Sequence, residues 1–434
     1  MPMSTSENLT STSDFESTNR TVIVGGGIAG LTLALTLAKH GVASVVLEAR
    51  TRLSEAGAGI QLGPNATHIL RDLGVLDDLK LSAVAPEAIV VADAATGREI
   101  TELPLGAWME QRHGAPYLVT HRADLQAALL AQVAAHSAID LRLGWQLKQL
   151  CSDQRETAGI AGTPANPAIL DITERGAIST PLVVGADGVW SALRFALVAS
   201  QGEGHTTHRM SGKVSHLTYS GMTAARTTLK SDDLPAHLRR LATHVWMAPN
   251  AHLVMYPIRS GGDVALVAIT AAPEPEQGWG VAVDRDTFLA GFKALNQNVA
   301  AVLDRAGSWK RWALFNPLPL KTWSRDRLIL IGDAAHPILP FLAQGGAMAI
   351  EDGYVLGRLI AAHGPDPQRV FPAFEKQRCQ RVGQVQRASR ENGRIYHLDG
   401  LAAKGRNFAM RATPSRLLMQ RYDWIYNWSF EAGQ

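Results

Sequence analysis

Thr21-Val22-Ile23-Val24 runs directly into Gly25-Gly26-Gly27-Ile28-Ala29-Gly30, and Leu31-Thr32-Leu33-Ala34-Leu35-Thr36-Leu37-Ala38 follows without a break. The first stretch reads as a buried strand, the last as a helix, and the glycines as the turn between them. Gly25, Gly27 and Gly30 keep the G-x-G-x-x-G spacing. The first permits a tight turn, the second admits a pyrophosphate close to backbone, and the third lets the helix rest on the strand. A second strand, Ser44-Val45-Val46-Leu47, ends at Glu48, where a carboxylate can accept from a ribose hydroxyl. These residues call for a parallel sheet with a nucleotide at the carboxyl ends of its strands.

Two distant stretches repeat the pattern. The strand-like run 327–331 leads into Gly332-Asp333-Ala334-Ala335-His336-Pro337; Pro340 follows, and Gln344-Gly345-Gly346-Ala347-Met348 opens an amphipathic helix. One carboxylate beside a row of free helix N–H groups suits a ligand bearing hydroxyls and a delocalised anion. Leu182-Val183-Val184-Gly185-Ala186-Asp187-Gly188 is again a strand with an acidic turn, where Asp187 either caps the next helix or faces the same ligand.

Composition removes several alternatives. A net charge of +3 on 434 residues gives no ground for nucleic acid or an anionic membrane as partner. No apolar run reaches eighteen residues, so no ordinary membrane span is expected. Cys151 and Cys379 match no metal spacing and fit free thiols in a reducing cytoplasm; no metal site is expected. Residues 1–19, rich in Ser, Thr, Asn and Glu, read as a disordered tail.

Together the three glycine-and-aspartate stretches resemble the group A flavoprotein monooxygenases, the single-component aromatic hydroxylases with the p-hydroxybenzoate hydroxylase fold. Gly57-Ala58-Gly59-Ile60-Gln61-Leu62-Gly63-Pro64-Asn65-Ala66, His121-Arg122-Ala123-Asp124-Leu125 and Tyr422-Asp423-Trp424-Ile425-Tyr426 are similar to the salicylate and 3-hydroxybenzoate hydroxylase branch. The resemblance covers residues 20 to the end. It implies an α/β fold with a Rossmann-like FAD-binding lobe, an antiparallel-sheet substrate lobe and C-terminal helices. The FAD domain is then discontinuous, over residues 20–83, 117–205 and 322–372. Residues 84–116 and 206–321 form the substrate domain, and 373–434 a helical region whose scattered arginines read as a solvated face.

The implied chemistry is hydroxylation of a phenolic or heteroaromatic ring with FAD, NADH or NADPH, and O2, through a hydroperoxide at the flavin C4a carbon. Oxidative decarboxylation, dearomatisation or oxygen insertion by the same chemistry is the nearest alternative. A flavoprotein inert to oxygen, acting as a dehydrogenase or binding module, is the more distant one. The implied setting is the cytoplasm, as monomer or homodimer, with a small aromatic molecule as partner.

Cofactor contacts are expected from Gly25, Gly27, Gly30, Glu48, Gly59, Gln61, Asp187, Asp333, Gln344, Gly345, Gly346, Ala347 and Met348. The resemblance adds Arg50 on the adenosine side, where a solvated loop arginine is the alternative, and Arg122 toward the phosphate or ribityl region. Pro340 would wall the oxygen side, and His336 is read as structural. On the substrate side, Tyr219, Met222, Ala225, Met255 and Asn316 are expected at the pocket. Met222, Ala225 and Met255 stand where relatives carry polar side chains, so a more apolar pocket is expected. His252, Tyr256 and Arg226 are the catalytic expectations. His252 alternates with Val254 and Tyr256 along a strand, so the three share a face, with a core role for His252 as the alternative. Strands are read over 245–247, 252–258 and 264–269, a ribbon over 139–180, and helices over 284–295 and 299–305.

Overall fold

Thr21–Val24 is a strand whose four side chains are all buried, and the helix Ile28–Lys39 starts three residues beyond the turn of Gly25. A computed structural model of the chain describes residues 15–53, 59–151, 167–200, 208–210, 213–215, 217–273, 279–283, 286, 288, 291–292, 294–317 and 320–430. The helix expected over 284–295, the tip of the ribbon, and Gly57 with Ala58 therefore lie wholly or in part outside the described residues.

The nucleotide sheet has six strands in the order Ser324–Arg325, Leu328–Leu330, Val183–Gly185, Thr21–Val24, Ser44–Glu48, Ile139–Leu143. All pairings are parallel except that of Ser324–Arg325 with its neighbour. Gly185 pairs with both Val24 and Leu330, so the three motif strands lie side by side and end level. That register places Gly25, the Asp187 turn and the Asp333 turn along one sheet edge. Val22, Ile23, Val183, Val184 and Ile329 have no exposed surface, as a sheet covered on both faces requires. Burying each such side chain contributes roughly 1.5–3 kcal/mol.

The second large sheet has eight strands, in the order Trp279–Val283, Trp309–Pro317, Leu217–Lys230, Asp263–Ala271, Ala251–Ile258, Thr243–Ala248, Ala88–Asp93, Glu99–Pro104. It is not purely antiparallel. Thr243–Ala248 runs parallel to Ala88–Asp93, because the chain passes through the nucleotide sheet between these strands and no hairpin dictates their direction.

Alternation divides this sheet cleanly. Ala225, Leu253, Met255, Leu266 and Ala268 point outward into a cluster with Phe288, Val302 and Trp309. Val254, Tyr256, Val267 and Ile269 line the cleft on the opposite face.

Two further expectations are corrected. Phe15–Ser17, assigned to a disordered tail, is a strand pairing in parallel with Gly176–Thr180, and its backbone pairing extends the expected ribbon to four strands. The C-terminal arginines are not all solvated, since Arg378 has no exposed surface and Arg381 only 8%. Both lie on the helix Pro367–Tyr396, on the face turned toward the helix Gly345–His363. No helix among the described residues is long and apolar enough to cross a membrane.

Candidate active site

A cleft of about 380 Å3 opens where the ends of the nucleotide strands meet the inner face of the eight-stranded sheet. From the first side come Gly27, Gly59, Gln61, Arg122, Asp333, Gly345 and Gly346; from the second come Arg226, His252, Tyr256 and Trp312, with Pro340 at the junction.

The glycines have separate physical reasons. At Gly25, φ is +114°, and an added Cβ would stand 2.3 Å from the Ala186 carbonyl oxygen; at Gly30 it would stand 2.0 Å from that of Gly25. Protein backbone forbids side chains at both. A Cβ on Gly27 meets nothing within 4 Å although Gly27 lines the cleft. That cradle is kept clear for something other than protein. Gly27→Val is therefore expected to fold with an unchanged circular dichroism spectrum, while affinity for the dinucleotide that the glycine spacing leads one to expect falls by on the order of 10-fold or more, read by fluorescence titration.

Glu48 is tied to the backbone at the glycine turn and at Arg50. Its Oε2 accepts from Gly26 N–H at 2.9 Å and its Oε1 from Arg50 N–H at 3.0 Å, so it braces the glycine turn and stays partly exposed. Arg50 is exposed beside it and does not line the cleft.

Asp333 is the most telling group. Its side chain keeps open surface, yet it lies so deep among protein atoms that burial pushes its carboxyl above the usual carboxylate range; Arg122 opposes that shift. The two observations agree because the open side of Asp333 is the cleft. The turn that aims it is held from behind. Arg194 donates to the carbonyls of Ala334 and Ala335 at 3.1 and 2.6 Å, and Asp352 Oδ2 accepts from Gly332 N–H at 2.8 Å.

The helix Gly345–His363 points its start into the cleft. Met348 N–H donates to the Gln344 carbonyl at 2.9 Å, which leaves the N–H groups of Gly345, Gly346 and Ala347 without intrahelical acceptors. A helix start of this kind carries roughly +0.5 charge. Met348 thus offers no free amide, and its side chain is buried with Sδ 3.6 Å from Arg378. Gln344 also turns away: Asn65 donates to its Oε1 at 3.1 Å, and only 1% of the residue is exposed. Asp187 caps the next helix, accepting from Ala192 N–H at 2.9 Å, and does not line the cleft.

On the sheet wall, His252, Val254 and Tyr256 share the cleft face as expected. Ala225 and Met255, expected at the pocket, lie on the outer face, and Met255 is 1% exposed. Their odd spacing from Arg226 and from His252 puts them there. With Met222, none of the three apolar replacements lines the cleft, so they do not make it more apolar. Tyr219 does not line the cleft; its hydroxyl donates to the Ala272 carbonyl at 3.0 Å. Asn316 pairs with Thr218 outside the cleft lining, and Met222 packs beside it with Leu314 and Phe341. Tyr256 crosses the cleft toward Gly59, where an added Cβ would stand 2.1 Å from its ring. Burial raises the Tyr256 hydroxyl well above its ordinary value and drives the His252 imidazole well below its own.

Sequence reasoning missed four groups. Trp190, 57% exposed, lines the cleft and meets the Phe315 ring edge-on at 5.8 Å. Trp312 lies under the Arg226 guanidinium at 4.9 Å. His397 hydrogen bonds His252. The long helix tethers the wall through Gln386 to the Pro337 carbonyl and Ser389 to the Leu339 carbonyl. An exposed-looking Trp after an Asp-Gly turn was the one available signal.

Residues 18–389 match the FAD binding domain family. The chain is 33% identical over 410 residues to a 3-hydroxybenzoate 6-hydroxylase of Klebsiella oxytoca, covering 94% of this chain and 96% of that one. It is 36% identical over 427 residues to 3-amino-4-hydroxybenzoate 2-monooxygenase PtnB3 of Streptomyces platensis, covering 95% and 96%. In three dimensions it is similar to a salicylate hydroxylase in complex with substrate, with a TM-score of 0.76 at 23% identity over 95% of this chain and 96% of that one; this likeness concerns the fold.

Proposed function

Because the chain belongs to the FAD binding domain family, with aromatic-ring monooxygenases as full-length relatives, we propose that its cleft brings a flavin and a hydroxylated aromatic ring together. The protein is an FAD-dependent monooxygenase that hydroxylates an aromatic substrate with NAD(P)H and O2. Bound FAD supplies the electron transfer from the nicotinamide and the activation of dioxygen. The residues present fit that group: a clear cradle at Gly27, a carboxylate at Asp333 aimed into the cleft, and free helix N–H groups at Gly345–Ala347.

In this reading Asp333 accepts from a ribityl hydroxyl, and Gly27 and Arg122 face the phosphates. The N–H groups of Gly345, Gly346 and Ala347 donate to the pyrimidine edge, where their field favours negative charge by about 0.3–2 kcal/mol. Pro340 and Ile338 exclude water from the reacting side. Arg226, on the sheet wall, faces an anionic substituent of the ring. The substrates named for the two relatives above each carry a ring hydroxyl and a carboxylate, which supports a hydroxylated aromatic acid as substrate class. His252 takes the phenolic proton at Nε2, since its Nδ1 is engaged elsewhere. Cys151 and Cys379 are both free thiols, in keeping with a reducing compartment.

The observation that carries this reading is the position of Asp333 and the Gly345 helix start in one cleft with His252 and Arg226. Its test is NAD(P)H oxidation by the holoenzyme across a panel of hydroxylated aromatic acids, with oxygen uptake and product mass followed together. Ligand-stimulated, oxygen-dependent oxidation with a gain of one oxygen atom is expected. Loss of carbon dioxide, or oxidation indifferent to any ligand, would overturn it.

A further inference from the structure

His252 Nδ1 lies 2.7 Å from His397 Nε2. His252 is in the strand Ala251–Ile258, at the cleft, with 1% of its surface exposed. His397 closes the long helix Pro367–Tyr396 and is only partly buried. The pair is walled by Phe341, whose ring lies 5.7 Å from each imidazole, and by Tyr396, 5.3 Å from His252. The Asn250 N–H holds the His397 carbonyl at 3.2 Å, so strand and helix are fixed to one another beside the two rings.

Two imidazoles at this distance share one proton, and the sharing ties their tautomers together. With the proton on His252 Nδ1, the His252 Nε2 lone pair is open to the cleft and His397 carries its own proton on Nδ1. With the shared proton on His397 Nε2, the His252 Nε2 carries a proton instead. Passing from the first arrangement to the second takes one proton in from the cleft and releases one at His397 Nδ1.

We propose that His397 is the exit of a two-histidine proton path, through which a phenolic proton leaves the cleft by way of His252. The step balances. The substrate O–H bond breaks, its electron pair stays on the oxygen, and the proton bonds His252 Nε2. His252 Nδ1 gives its proton to His397 Nε2, and His397 Nδ1 gives one to solvent. Both rings end neutral, and the reverse transfer restores the first arrangement.

A lone His252 would serve poorly, because a protonated imidazole among Phe341, Tyr396 and sheet side chains has lost its hydration. Burial also drives His397 down, to about 4, with the Arg406 guanidinium adding to the effect. Neither ring therefore holds a second proton, and a path that never leaves an imidazolium in place avoids that cost. Among the described residues, the charged group acting on the pair is Arg406, which donates to the Ile395 and Tyr396 carbonyls at 2.7 and 3.0 Å; the Tyr396 hydroxyl interacts instead with Tyr422 and Tyr426.

This rests on the reading of His252 as proton acceptor, and the test separates the two. The FAD-loaded enzyme, without nicotinamide, is mixed with 4-nitrophenol, whose phenolate is coloured, and the rate of ionisation of the bound phenol is followed after a pH jump. The wild type ionises the probe, and His252→Gln does not. His397→Phe and His397→Gln each slow the step by on the order of 10-fold or more, within the range a positioned proton acceptor commands. His397→Ala recovers with added imidazole. Gln keeps a hydrogen bond at that site but cannot relay, so wild-type rates in His397→Gln would overturn the path while leaving His252 in place. Absence of rescue by imidazole would do the same. Ionisation that survives His252→Gln, or a wild type that leaves the probe unionised, would overturn the acceptor reading and the path with it.

Discussion

Asp333→Ala is expected to purify nearly colourless. The carboxylate stands just beyond the strand Leu328–Leu330, its turn is braced by Arg194 and Asp352, and it opens to the cleft. A hydrogen bond to a charged group contributes about 1.5–3 kcal/mol, which corresponds to roughly 10–150-fold in affinity. Removing the carboxylate also leaves the Gly332–Ala334 turn aimed at nothing, so the upper end of that range is expected. Asp333→Asn keeps one acceptor oxygen and should retain part of the colour.

The pH dependence has a definite sign. Burial holds the Asp333 carboxyl above its ordinary value, and protonation converts an acceptor oxygen into a donor. FAD affinity should therefore fall as pH is lowered through that raised value and be complete above it. Flavin-to-protein absorbance of the purified variants, with fluorescence titration across pH, reads both effects. Full flavin occupancy in Asp333→Ala would remove the ribityl role.

What could be read in the sequence follows from what local spacing determines. The three motif strands were legible because each carries strand, turn and helix start within fifteen or so residues, and parallel pairing then makes their turns neighbours. The shared face of His252, Val254 and Tyr256 was legible from period two, and the same rule excludes Met255 and sets Ala225 opposite Arg226. Aligning those residues with polar counterparts in relatives overrode their parity, and parity was the better guide. Arg378 and Arg381 could not be placed from sequence. Among 42 basic residues, nothing local distinguishes those whose carboxylate partners lie about thirty positions away on another helix. His397 was hidden for the same reason: it meets His252 across 145 positions.

That buried ion cluster carries the largest stability prediction, Arg378→Ala. Arg378 donates from Nε to Asp352 Oδ1 at 2.7 Å and from Nη1 to Glu351 Oε2 at 2.5 Å, and Arg381 grips both Glu351 oxygens at 2.6 and 2.7 Å. Asn65 and His336 complete the set, at 2.7 Å to Glu351 and 2.5 Å to Asp352. None of the Arg378, Glu351 and Asp352 side chains has exposed surface. Two carboxylates facing two guanidinium groups leave no net charge, whereas deleting Arg378 strands Asp352 with His336 and one backbone donor.

Breaking a buried pair from one side costs about 3–5 kcal/mol. With ~2.1 cal/mol/K of unfolding entropy per residue over 434 residues, that is about 3–6 °C in Tm for a single transition. Arg378→Met with Asp352→Asn removes charge from both sides and should recover much of the loss.

Burial alone would raise the Asp352 carboxyl, but His336, Arg378 and the Gly332 N–H override it and hold it at about 2. A depressed carboxylate stabilises above its unfolded value near 3.8, and that stability is lost as pH falls from there through 2. The wild type should therefore lose about 2 kcal/mol across that window, and Asp352→Asn should show a flatter profile. Because the same residues brace the Gly345 helix start and the Gly332 turn, Arg378→Ala should also weaken FAD binding while Arg381 remains in place. Guanidinium unfolding with and without added FAD reads both losses, and an Arg378→Ala midpoint equal to the wild type would show that the cluster is not what holds these two helices together.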